Sequence, residues 1–270
     1  MSTDCNERWW NERAQLHLTT EHYCEMERML RAGHSPLSRL EKDLVGIVDG
    51  LRLLHLQCHL GHDTLAWAMM GAQVTGVDYS APALASAGAL ARSLDLPARW
   101  VRANVCNLPA SLGEFDRIVA THGVISWLAD LQGWARGIRR LLAHDATLVI
   151  VDLHPLAYSL EVCETEDPPL RLRGPIMGSV PIHMQRSGSY ADRTMPTSEN
   201  GIVGWRHGLG DIVGALVCAG FVIDHLAEHS WSQWRRPGLI ACDDPQCWIL
   251  PPPLNGQIPL SFSLRARAGT

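Results

Sequence analysis

Lysine is almost absent. Lys42 stands alone against twenty-two arginines, a skew that reflects coding composition rather than mechanism. The formal net charge is −5, so no basic footprint exists to follow a phosphate backbone, and nucleic acid is excluded as a partner. No apolar run approaches the roughly twenty residues a membrane helix needs, so no membrane partner is expected. The first thirty residues are charged and Trp-rich, unlike a secretory leader. Cysteines at positions 5, 24, 58, 106, 163, 218, 242 and 247 form no CxxC pair. Cys242 and Cys247, beside Asp243 and Asp244, lack four-ligand spacing, which leaves no metal site. Reduced thiols in a cytoplasmic protein follow. Internal repeats and low-complexity tracts are missing too. What remains is a chain of 270 residues, 46% hydrophobic and 19% charged, enough for one large domain with a full core.

That domain is organised around Arg52–Ser80. Arg52–Cys58 is an apolar run the length of a strand buried on both faces. Asp63–Met70 has helical spacing through Leu65, Ala66, Ala68 and Met69, and Gly71 suits a C-cap with positive φ. Val74–Val77 is a second strand, ended by Asp78. Strand, crossover helix and parallel strand, with an acid about twenty residues past the first turn, make a nucleotide-binding βαβ unit. The acid suits the two hydroxyls of a ribose, and the turn before the helix suits an anion. The turn, Gln57-Cys58-His59-Leu60-Gly61-His62, has one glycine where a dinucleotide fingerprint has three. That points away from NAD and FAD and toward a smaller adenosine ligand.

These residues resemble the class I S-adenosylmethionine-dependent methyltransferases. LLHLQCHLGHDTLAWAMMGAQVTGVDYS is similar to the bacterial small-molecule branch whose loop reads LHLQCxxGxDT. Phe115–Thr121, Ala146–Asp152 and Ile258–Arg267 resemble the fourth, fifth and closing strands. The resemblance implies an α/β fold: a seven-stranded doubly wound, Rossmann-like methyltransferase sheet with its last strand antiparallel, an N-terminal lid helix and an inserted cap. The parts divide as lid helices 1–34, cofactor-binding core 35–154, substrate-recognition cap 155–206 and completion of the sheet 207–270. The implied activity is methyl transfer from S-adenosyl-L-methionine to a small organic acceptor, with S-adenosyl-L-homocysteine as product and no metal. O-methylation comes first and N- or C-methylation close behind, in secondary-metabolite or antibiotic biosynthesis, by a monomer or homodimer. A cyclase of the same fold and a non-catalytic regulatory subunit are the rival readings.

The resemblance also assigns residues. Gln57, Cys58, His59 and Gly61 present the loop to the methionine part of the cofactor, with a Gln57 amide on its carboxylate. Asp78 takes the ribose, Tyr79 lies against the adenine, and Ser80 caps the next helix, Ala81–Leu94. Asn104, where the family usually has Asp, accepts from the adenine amino group, and Val105 supplies a backbone N–H. Thr121 ends the fourth strand, and His122 follows it as first candidate for general base. His154, past the fifth strand, is the second. Trp10, His17 and Tyr23 face the acceptor from the lid, and Tyr190, Trp205 and His207 from the cap.

Other stretches read as scaffold. Ser35–Asp49 is a helix with Pro36 in its first turn and Gly50 as C-cap. Trp127, Leu128, Leu131, Trp134, Ile138 and Leu141 form a core stripe. Pro155–Trp205, with Pro168-Pro169, carries Arg171, Arg173 and Arg186, which suit a substrate carboxylate or phosphate. His207–Ala219 is a helix, and Trp231–Pro253 is irregular.

Overall fold

The structure, a computed structural model, describes residues 4–162, 170–243 and 247–269. Cys163, Pro168, Pro169 and Asp244, named above, lie outside the described residues. Two helices come first, α1 (Asp4–His17) and α2 (Glu21–Arg31), then a short α3 (Arg39–Val45). Alternating elements follow: β1 (Arg52–Leu56), α4 (His62–Met69), β2 (Gln73–Asp78), α5 (Ala81–Ser93), β3 (Ala98–Arg102), β4 (Phe115–Thr121), α6 (Leu131–Leu141) and β5 (Leu142–Leu153). Two antiparallel hairpins come next, β6 (Leu160–Val162) with β7 (Leu170–Leu172), and β8 (Val180–Gln185) with β9 (Gly201–Arg206). Then come α7 (Leu209–Cys218) and β10 (Phe221–His229). β11 (Trp231–Ser232), β12 (Ile240–Ala241) and β13 (Trp248–Ile249) make a small sheet, and β14 (Ser261–Ala268) completes the order.

Seven strands form the main sheet in the order β10-β14-β5-β4-β1-β2-β3. The pairs among β1 to β5 are parallel, and β14 runs antiparallel between β10 and β5. Strands succeed one another outward from β1 to β3, then restart on the other side with β4. The crevice at that reversal, outside the carboxyl ends of β1 and β4, is where open sheets of this kind bind ligands.

The strands are apolar on both faces because both faces are covered. Leu54, Ile118, Leu148 and Ile150 pack with Trp134 and Ile138 of α6 and Leu216 of α7. Their chain neighbours Leu53, Val119 and Val149 point the other way, toward Leu65 and Trp67 of α4. α6 begins where Asp130 Oδ1 accepts from Gly133 N–H at 2.7 Å, and α5 where Ser80 Oγ accepts from Ala83 N–H at 3.3 Å.

Three sequence readings shift. The helix expected over Ser35–Asp49 is only α3, because Ser38 and Glu41 form a capping box and Gly46, at φ 74°, ends it four residues before Gly50. Pro36 precedes that cap. Trp127 and Leu128 precede α6 instead of extending its stripe, and Trp127 turns to a cavity wall. The irregular Trp231–Pro253 stretch contains the small three-stranded sheet.

Candidate functional site

The turn after β1 keeps a glycine-like backbone without the glycines. Gln57 has φ 53°, His59 φ 48° and Gly61 φ 77°, so alternate residues take the left-handed conformation. At Gly61 a side chain is impossible: a Cβ would lie 2.5 Å from Trp100 Cη2 and 2.8 Å from the Ala87 Cβ. At Gln57 and His59 the conformation carries strain of about 1 kcal/mol or more each, and such strain concentrates at functional sites. His122, at the end of β4, is a third left-handed non-glycine, with φ 68°.

Asp78 sits at the tip of β2, 5% exposed. Its Oδ2 accepts from His59 N–H at 2.9 Å and its Oδ1 from Ser80 N–H at 2.8 Å. Burial raises its pKa to about 6 against the pull of those N–H groups. A carboxylate can accept more hydrogen bonds than these N–H groups supply, which suits ribose hydroxyls. Beside it Gln57 donates to the Val124 carbonyl at 3.1 Å, while its Oε1 is buried without a partner. The amide expected to donate to the cofactor is thus turned to the β4 side, and the acceptor oxygen is what Gln57 offers. Asn104 is exposed, and its Oδ1 accepts from Cys106 N–H at 2.9 Å, which shares the oxygen expected to face adenine. Val105, Cys58 and Thr121 are buried, and Tyr79 is half-buried. His55, at the start of this motif, is buried between Thr64 Oγ1 at 2.8 Å and Thr121 Oγ1 at 3.4 Å. Burial lowers its pKa to about 4, so it is neutral.

α1 and α2 close over this turn. His17 Nδ1 lies 2.7 Å from His59 Nε2, and its Nε2 meets Ser189 Oγ. Burial pulls the His17 pKa down to about 3 and that of His59 well below its ordinary value, so this pair shares hydrogens as neutral rings. Tyr23 stacks on His17 at 4.9 Å, and its hydroxyl meets that of Tyr190. α1 itself is tied to the segment after β8. Arg13 is fully buried and donates to the carbonyls of Arg186, Gly188 and Glu199. Asn6 exchanges two 2.8 Å hydrogen bonds with the Val203 backbone.

A cavity of about 730 Å³ opens at the carboxyl ends of β4 and β5. Trp10, His122, Trp127, Tyr158, Tyr190 and Trp234 are among its walls. Trp10, Tyr190 and His122 therefore reach it as the sequence predicts. His17 and Tyr23 do not line it, being packed between the turn and Tyr190. Trp205 is buried, and His207 is held by Ser179 Oγ at 2.9 Å and the Leu128 carbonyl at 2.8 Å, so neither lines it. His154 is also outside: Nδ1 accepts from Leu156 N–H at 3.1 Å, and Nε2 lies 2.9 Å from Glu228. Its Nδ1 thus holds the backbone turn and its Nε2 faces Glu228 of β10, away from the lining that includes His122.

His122 is in a different state from the one expected. Its Nε2 lies 3.0 Å from Glu41 Oε1 and 3.8 Å from Asp63 Oδ2. Burial opposes its charge, but Glu41, Asp63 and Asp152 outweigh that and raise its pKa to about 9. Burial likewise opposes the Glu41 charge, yet His122 and Ser38 hold that carboxyl well below its ordinary range. The three carboxylates thus favour the protonated form of His122. Glu41 was read only as part of a scaffold helix; no local signal marks it, because its partner lies eighty-one residues on. Asp152 accepts from the backbone N–H of Gly123, Ile125 and Leu153, and so fixes the strand-four turn that carries His122.

Residues 54–148 match a family model described as a methyltransferase domain. An uncharacterised methyltransferase of Synechocystis sp. is 32% identical over 147 residues, 50% of this chain and 66% of that protein. The chain thus spans just under two thirds of that relative's length. An S-adenosylmethionine-dependent methyltransferase structure from Mesorhizobium loti superposes with a TM-score of 0.59 at 20% identity, covering 84% of this chain and 94% of that one. The glycopeptide N-methyltransferase MtfA, solved with sinefungin, gives 0.54 at 15% identity over 86% and 85%. The chain therefore shares the fold of these structures, with the sheet order and antiparallel last strand described above. Among the described residues no helix is long and apolar enough to cross a membrane, and no group of three or more His, Cys, Asp or Glu is arranged to hold a metal.

Proposed function

We propose that this chain binds S-adenosyl-L-methionine at the Gln57–Gly61 turn and Asp78, and methylates a small organic acceptor in the adjoining cavity. The observation that carries this is Asp78: a buried carboxylate held by backbone N–H groups, at the strand tip beside a strained left-handed turn. Asp78 accepts from the ribose hydroxyls. Tyr79, Asn104 and Val105 frame the adenine, and the unpartnered Gln57 Oε1 accepts from the cofactor ammonium. When bound, the cofactor supplies a methyl group already activated on a sulfonium.

What the protein adds is alignment and exclusion of water. Trp10, Trp127, Tyr190 and Trp234 wall the cavity against solvent. His122, paired with Glu41, stands at that wall as a polar group that can hydrogen-bond an acceptor hydroxyl. O-methylation of such a hydroxyl is the reading this supports. The aromatic walls and volume suit a secondary metabolite, and the protein is read as cytoplasmic, a monomer or homodimer. Calorimetry with the methyl donor and with S-adenosyl-L-homocysteine tests the proposal. Saturable binding of both, weakened in Asp78→Ala, is expected; no binding of either up to millimolar concentration overturns it.

A further inference from the structure

Six arginines reach the wall of the cavity: Arg173, Arg186, Arg193, Arg206, Arg235 and Arg236. Among the described lining residues Glu161 is the one carboxylate, and it is already paired with Arg173. Two of the others converge on a single ring. The guanidinium carbon of Arg206 lies 5.1 Å from the Tyr158 ring centre, and that of Arg236 lies 6.0 Å from it. Arg206 is 9% exposed, and its buried Nε has no partner. Arg236 donates to the Ala157 carbonyl. Arg186 is near enough to both to depress them electrostatically. Burial first, with Tyr158 pulling back and then other arginines adding to it, holds all three guanidinium groups below their ordinary pKa.

Cations gathered at a cavity wall without an opposing charge, Arg206 buried, Arg236 half-buried and Arg186 more exposed, are unfavourable, and an anion between them removes that cost. The fork of a guanidinium matches the two oxygens of a carboxylate or phosphate, so the partner has a stated shape as well as a sign. The cluster also lies next to the proposed point of transfer. A Cβ built on Gly123, beside His122, would come within 3.5 Å of the Tyr158 hydroxyl.

We propose that Arg186, Arg206 and Arg236 hold an anionic group of the acceptor, so that the acceptor is an organic acid. The word acceptor rests on the methyl-transfer reading; the anion site itself does not. Tyr158 spaces the guanidinium groups, and the anion bound between them directs a nearby nucleophilic atom toward the His122–Gly123 turn. Sequence reading reached Arg186 only as one of several loop arginines, and Arg206 and Arg236 not at all, because three separate segments bring them together.

Trp9, Trp10, Trp127 and Trp234 line the same cavity, so tryptophan fluorescence reports its occupancy. The full chain is titrated with salicylate, its neutral isostere salicylamide, and phenyl phosphate. Salicylate is expected to bind at least about tenfold tighter than salicylamide, as a charged hydrogen bond commands. Arg186→Gln, on an exposed wall position, and Arg206→Met each reduce that preference by about tenfold, while Arg206→Lys keeps most of it. Phenyl phosphate binding tighter than salicylate, with the same dependence on the arginines, supports the anion site and makes the acceptor a phosphate ester instead of a carboxylic acid. Equal affinity for salicylate and salicylamide, a preference untouched in every variant, or no saturable binding of any probe overturns the proposal. Calorimetry with S-adenosyl-L-homocysteine on the same proteins separates the two readings. Anion preference without cofactor binding sinks the methyl-transfer reading alone, and cofactor binding without anion preference sinks this one alone.

Discussion

Replacing Glu41 by Gln should discharge His122. The carboxylate is 3.0 Å from the imidazole Nε2. At an effective dielectric near 20, two unit charges at that separation attract by about 5 kcal/mol, and at about 1.4 kcal/mol per pH unit this is worth about four pH units. Removing it takes the His122 midpoint from about 9 to below 7, where burial then dominates. The sign for stability follows from linkage. A histidine whose pKa is raised by folding contributes stability that is complete below about 6.5 and is lost as pH rises through about 9. The gap between those values corresponds to at most about 3.4 kcal/mol. NMR with histidine labelled at the ring carbon reads the midpoint directly, and urea unfolding at pH 6 and pH 9.5 reads the stability. Wild type should show one histidine titrating near 9 and a matching loss of stability between the two pH values, both absent from Glu41→Gln. A His122 midpoint near 6.5 in wild type, or one that stays above 8 in the variant, would refute the ion pair as the cause.

Three further outcomes follow from the site. Asp78→Ala should weaken cofactor binding by about 10- to 100-fold in calorimetry, since a charged acceptor contributes about 1.5–3 kcal/mol; unchanged affinity removes the ribose assignment. Gly61→Ala should cost at least about 2 kcal/mol in urea unfolding, from the left-handed backbone and the clash with Trp100 together, and an undisturbed midpoint would mean the turn has another path. Arg13→Ala takes this donor from the Gly188 and Glu199 carbonyls and leaves the Arg186 carbonyl with Trp9 Nε1 alone, and should cost about 3 kcal/mol. Limited proteolysis should then cut within residues 1–31 earlier than in wild type.

The strands of the sheet core were legible because each carries its own signal. β1, β2, β4 and β5 are apolar runs, and Asp78 ends one of them. Ser80 as a cap and Asp78 at a strand tip needed only local chemistry. Helix ends were less legible: at α3 the Ser38–Glu41 box competes with the stronger-looking Pro36 and Gly50. The acceptor side was the least legible. His154 reads as a base by position, yet it does not line the cavity and its Nδ1 accepts from Leu156 N–H. Glu41, Tyr158, Arg206 and Arg236 are unremarkable in sequence, and only tertiary distance gives them their surroundings. The one-glycine turn was read as a departure from glycine-rich loops. Its backbone keeps the left-handed geometry with Gln57 and His59 in place, which no propensity scale anticipates.

Fastened by Arg13 and Asn6, the first helix and the stretch from Arg186 to Val203 travel as one piece. Trp9 and Trp10 of that helix and Arg186, Ser187, Ser189 and Tyr190 of that stretch all line the cavity, so any displacement of the helix would carry two sides of the cavity wall with it.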